Sequence, residues 1–230
     1  MLYIKKSYLK GIALFSAFIV LLLTVNFQNR IINTFDNKVY SKNTVVIDAG
    51  HGGKDAGTIG VDGTLEKDIN LGISLKLYDF LMISGIDTKL IRSTDTEYYP
   101  KGSELGKSDL YNRLDFVNSI EKSVLVSIHQ NHYVTPEAKG AQIWYSTNNA
   151  KSKIIADNIL SSINRNLQPD NTRVNKESGS DYYILYRGTV PSVMVECGFM
   201  SNPEENSNLK DIEYQKKLAF SVLEGICEEV

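Results

Sequence analysis

The chain has 230 residues, with 25 Lys and Arg against 27 Asp and Glu, three histidines and two cysteines. That length suits one domain with a substantial core and is short for two such domains plus a membrane segment. Setting aside Lys5, Lys6, Lys10 and Arg30 leaves 21 bases against all 27 acids, a balance that argues against a nucleic-acid partner. The two cysteines, without a CxxC spacing, cannot build a thiolate metal site.

No acid precedes Asp36, and the three lysines stand before a 17-residue apolar run at residues 11–27. Such a run is at the short edge of what spans a bilayer. No pair of small residues follows at the spacing a signal peptidase reads, which favours an uncleaved signal anchor over a cleaved signal peptide for residues 1–30. Either way the lysines stay cytoplasmic and the remainder is exported to the outer face of a bacterial membrane. Residues 31–43 read as a linker, and residues 44–230 as the one catalytic-sized domain.

Residues 45–47 form a β-branched run that stops at Asp48-Ala49-Gly50-His51-Gly52-Gly53, the pattern of a buried strand entering a glycine-rich loop. Residues 65–83 carry leucines at helical spacing, a helix started by Thr64 and stopped near Gly85. A strand at 87–91, a polar loop at 93–107, a helix at 108–120 and a buried strand at 124–129 follow. Then come a strand at 141–146, a helix at 151–167, strands at 184–186 and 192–196, and a closing helix at 214–229. Strands alternating with helices predict an α/β domain, a mostly parallel twisted sheet with helices on both faces. Cys197 and Cys227 read as free thiols on buried elements, since a domain of this size is stable without a disulfide.

In such folds ligands bind beyond the carboxyl ends of the strands. His51, His129 and Glu196 all fall there, each after a predicted buried strand. Glu66 opens the long helix, where the helix dipole favours an ionised carboxylate. Two histidines and one glutamate are an established zinc set that leaves a position open for water. His132, three residues past His129, is the alternative histidine. Glu196 follows the apolar run Val193-Met194-Val195, and a buried acid is costly unless it is paired or works beside a metal, which makes it the candidate base.

Four ordered stretches carry a family resemblance: residues 46–55 around His51, 63–68 around Glu66, 127–131 around His129 and 191–202 around Glu196. Over residues 45–229 the chain resembles the zinc-dependent N-acetylmuramoyl-L-alanine amidases of the Amidase_3 type. The resemblance implies Zn2+ on His51, Glu66 and His129, Glu196 as catalytic base, and hydrolysis of the amide between N-acetylmuramic acid and L-alanine in peptidoglycan. Arg187 matches a basic family position and, with Asn131, is carried over as a substrate contact. Only ten residues separate His129 from Gly140, too few for an occluding helix over the site. One anchor and one domain without wall-binding repeats resemble the family's sporulation and germination members, which act on spore-cortex peptidoglycan ahead of muramic-δ-lactam formation. A division or lysis amidase, another exported zinc hydrolase such as a peptidase or deacetylase, and an inactive peptidoglycan-binding module remain alternatives. A protein activator is not readable from the sequence.

Overall fold

A computed structural model of the chain describes residues 43–100, 108–227 and 229. The expected signal anchor, nearly all of the expected linker and part of the polar loop lie outside the described residues. Among the described residues no helix is long and apolar enough to cross a membrane.

The elements run β1 (Thr44–Ala49), α1 (Glu66–Ile83), β2 (Thr88–Leu90), α2 (Asp109–Asn118), β3 (Ser123–Asn131), β4 (Gln142–Tyr145), α3 (Lys151–Asn166), β5 (Lys176–Glu177), α4 (Tyr183–Arg187), β6 (Ser192–Phe199), α5 (Pro203–Lys210) and α6 (Ile212–Ile226). The sheet order is β2-β1-β3-β6-β4-β5. Strands β2, β1, β3 and β6 are mutually parallel, while β4 pairs antiparallel with β6 and β5 lies parallel to β4. The sheet is therefore mixed rather than simply parallel. Ten residues join β3 to β4, too few for a crossover, so the chain re-enters the sheet at the edge it has just left and β4 runs backwards.

Helices cover both faces. On one, Ile69, Ile73, Leu77 and Leu81 of α1, Ile155 and Ile159 of α3, and Leu218 and Val222 of α6 pack on Val45, Ile47, Val124, Val126, Ile128, Val193 and Val195. On the other, Leu114 and Val117 of α2 with Ile184 and Leu185 of α4 pack on Val46, Leu125 and Met194. The buried stripe of α1 is this i, i+4 series; Leu71 and Leu75 are only half-buried.

Four local expectations change. Thr64 does not cap α1: its hydroxyl donates to Asp62, and the first helical N–H groups, of Glu66 and Lys67, donate instead to the carbonyls of Thr58 and Ala56. Residues 184–186 are helical, not a strand, because Ile184 and Leu185 bury side by side in one core, which strand alternation forbids. Helix α5 was not anticipated although it carries a full start signal: Asn202 accepts from the N–H groups of Glu204 and Glu205, and proline follows it. Both cysteines are free, but only Cys197 is buried; Cys227 lies at the exposed end of α6.

Candidate metal centre and active site

The site forms at the carboxyl ends of β1, β3 and β6. β1 leaves the sheet through Gly50 into His51, whose φ of 60° places a non-glycine residue in the left-handed region. A tight pairing of Gly52 with Asp55 turns the loop back, and the Asp55 carboxylate meets His51 Nδ1 at 2.7 Å. That contact fixes the ring and leaves Nε2 facing Glu66 Oε2 at 3.3 Å.

Glu66 is 3% exposed. Its Oε1 accepts from the Gln130 backbone N–H (3.0 Å) and from Asn70 Nδ2 (3.2 Å), and lies 3.1 Å from His129 Nδ1. Its Oε2 accepts from the Thr58 N–H at 2.8 Å. His129, near the end of β3, crosses the His51 ring edge-on with centroids 4.9 Å apart. One donor atom from each of His51, Glu66 and His129 lies within 4.8 Å of the other two. Two imidazole nitrogens and a carboxylate oxygen converging in this way fit a divalent transition metal. Glycine is required around them. A Cβ on Gly50 would lie 2.2 Å from His129 Nε2, and one on Gly57 would lie 2.6 Å from Glu66 Oε2.

Burial opposes ionisation of Glu66, but hydrogen bonds and charge from His129 and His51 outweigh it and hold the carboxyl well below the usual range. Burial likewise pulls His51 down, yet Glu66 and then Asp55 raise it to about 9. His51 and Glu66 thus form a close pair of opposite charges in which a cation can replace the His51 proton.

Glu196 on β6 is the Cα partner of His129 on β3. It is 9% exposed, and its Oε2 has no partner among the described residues. Burial pushes its carboxyl up to about 7, with Glu66 adding to the rise and His129 and His51 opposing it. The Tyr182 ring stands against Trp144 of β4, with centroids 4.5 Å apart. Burial and then the Glu196 charge push the Tyr182 hydroxyl up to about 12.

Of the residues singled out by sequence, the structure brings His51, Glu66, His129 and Glu196 together. His132 is exposed and lies outside the group of donors. Asn131 is half-buried, and its side-chain oxygen accepts from the His132 N–H. Arg187 is exposed at the end of α4, its guanidinium 5.4 Å from the Tyr186 ring. Sequence reasoning missed the supporting groups. Asp55 and Asn70 each stand four residues after a donor, a spacing that could have marked them. Asp48, which accepts from Arg113 and Ser127 at 2.7 Å each, gave no such signal.

The N-acetylmuramoyl-L-alanine amidase family (Amidase_3) matches residues 45–228. The chain is 30% identical over 230 residues to the germination-specific N-acetylmuramoyl-L-alanine amidase of Bacillus subtilis, covering 95% of this chain and 93% of that one. Among solved structures, the CwlD amidase of Clostridioides difficile, determined in complex with the GerS lipoprotein, is 36% identical with a TM-score of 0.75, over 81% of this chain and 97% of that one. The amidase AmiC2 of Nostoc punctiforme is 30% identical with a TM-score of 0.71, over 82% and 97%. With the family matched across the whole described domain and the fold shared end to end, the chain belongs to the N-acetylmuramoyl-L-alanine amidases.

Proposed function

We propose that this amidase is zinc-dependent, that His51, Glu66 and His129 hold the ion, and that Glu196 is the catalytic base. The observation that carries the reading is the placement of a buried carboxylate with a free oxygen one strand away from three converged donors. When bound, Zn2+ would supply Lewis acidity toward the scissile carbonyl. Glu196 takes a proton from the attacking water as its oxygen adds to the lactyl carbonyl carbon, then delivers that proton to the alanine nitrogen as the C–N bond breaks. The products are a lactyl carboxylate on the sugar and a free L-alanine amino terminus on the peptide. A carboxyl raised to about 7 by burial suits both halves of that transfer. Asn131 and Arg187 are proposed substrate contacts.

The cellular role we infer is on spore-cortex peptidoglycan, ahead of muramic-δ-lactam formation, by a chain exported and held at the membrane through residues 1–30. Support comes from the germination-specific B. subtilis relative, matched over nearly its full length, and from the apolar run after Lys10. A lipoprotein partner like the one bound to the C. difficile amidase fits the same setting.

Digestion of purified peptidoglycan with and without a chelator tests the chemistry. The expected result is free L-alanine amino termini, lost on chelation and restored by Zn2+. Released acetate or cuts within the peptide would identify a deacetylase or a peptidase, and undiminished cleavage in chelator would remove the metal.

A further inference from the structure

Two buried arginines lie behind the centre, and they are solvated differently. Arg113, 3% exposed, pairs with the carboxylates of Asp48 and Asp109, each at 2.7 Å, and also donates to Ala49 O at 2.8 Å and His51 O at 2.7 Å. Arg92, equally buried, makes four hydrogen bonds among the described residues, and all of them end on backbone carbonyls. Nε donates to Ala49 O at 2.8 Å, Nη1 to Thr94 O at 3.1 Å, and Nη2 to both Gly50 O and Lys67 O at 2.9 Å. Burial and the Arg113 charge oppose the Arg92 charge, and Asp48, Asp95 and Asp109 favour it without a direct ion pair, so its position is set by the carbonyls it bonds.

Three of those carbonyls adjoin two of the metal-donor candidates. Ala49 and Gly50 immediately precede His51, and Lys67 immediately follows Glu66. A single nitrogen, Nη2, therefore bridges the loop that carries one donor and the helical turn that carries another. The Gly50 carbonyl also accepts from Asn70 Nδ2 at 3.1 Å, the same amide nitrogen that reaches Glu66 Oε1 at 3.2 Å. On its other side, Gly50 touches the His129 ring. Gly50 is thus the junction of all three donors; Asn70 and Arg92 both hold its carbonyl, and of the two Arg92 also reaches Ala49 O and Lys67 O.

We propose that Arg92 is a positioning residue for the metal centre, setting the separation of His51 from Glu66 through the carbonyls on either side of them. The proposal rests on the metal-holding role assigned above to those two residues. Lysine cannot replace it, because one ammonium has three donors radiating from a point, whereas the planar guanidinium spreads its donors over carbonyls from three segments.

The test compares the full chain with its Arg92→Lys variant and with Arg165→Lys as control, a surface arginine of α3 bonded to Glu224. Zn2+ affinity is measured by competition with a chromophoric chelator, and the geometry by the visible absorption of the Co2+-loaded protein. R92K is expected to lose about 10- to 100-fold in Zn2+ affinity and to shift the Co2+ bands, while R165K matches the parent in both. If metal-free R92K melts too early for titration, the Zn2+-induced rise in its thermal midpoint replaces the affinity, since that rise follows the same binding constant. A parent chain that binds no Zn2+ would refute the reading of the centre itself. A parent that binds it, with R92K matching it in affinity or midpoint shift and in Co2+ spectrum, would overturn the role of Arg92 alone.

Discussion

Along β1, β3 and β6 two sets of alternate residues face opposite ways. Val45, Ile47, Val124, Val126, Ile128, Val193, Val195 and Cys197 point to the α1, α3 and α6 side and are apolar from end to end. The interleaved set starts on Thr44, Ser123 and Ser192 and is apolar only in mid-strand, at Val46, Leu125 and Met194. It then turns polar at the carboxyl ends, with Asp48, Ser127, His129 and Glu196. The strands thus separate two tasks by side-chain parity: one face supplies uninterrupted burial, while the other gives up burial over its last turn of pleat to hold charged groups at fixed spacing.

That separation can be broken or sharpened by substitutions on each face. Glu196→Ala, on the polar set, should keep the fold and lower turnover by about 10²- to 10⁴-fold, the span typical of a general base; peptidoglycan hydrolysis by the folded variant reads it, and undiminished turnover would remove Glu196 from the chemistry. Leu77→Ala, beneath the apolar set and fully enclosed, should lower stability by about 4 kcal/mol in denaturant melts, yet leave Zn2+ content below the melting range unaltered. Lost Zn2+ there would mean that the two faces are not independent.

Asp48→Asn is expected to lower stability by about 3 kcal/mol at neutral pH, the low end for a broken buried pair, because Asp109 still bonds Arg113. Burial opposes the Asp48 charge, but Arg113, then His129 and Ser127, hold its carboxyl below the ordinary 3.8. Its contribution is therefore present above that pH and lost as pH falls through the lower folded value. Melts of the variant and the parent should accordingly converge in acid and diverge toward neutrality. The smallest change, Ile128→Val on the apolar set next to His129, should lower stability by about 1 kcal/mol and leave hydrolysis intact.

How much of this was legible follows from what a single residue can announce. His51, His129 and Glu196 could be located because each interrupts or ends a β-branched run, and β1, β3 and β6 were legible for the same reason. Helix α1 declared itself by length and periodicity. Helix α4 did not, since Ile184-Leu185-Tyr186 is too short a run for its period to be read. Helix α5 buries only Asn206 and Leu209, so it has almost no apolar pattern, and only its capping residues mark it. The parity of the polar set depends on strand register, which sequence does not display, and a buried Arg92 or Arg113 is spelled like any surface arginine. The mixed sheet follows from the ten-residue link between β3 and β4, whose shortness is visible in the sequence once both strands are placed.

Gly50 carries a last consequence. The volume that a side chain would claim at that position is already filled by the imidazole of His129, and its carbonyl is engaged on both edges. One added methyl would have to evict a ring that cannot retreat without leaving its neighbours. A homologue could therefore keep every donor and the acid on β6 and still be inert through a single exchange of Gly50 for alanine.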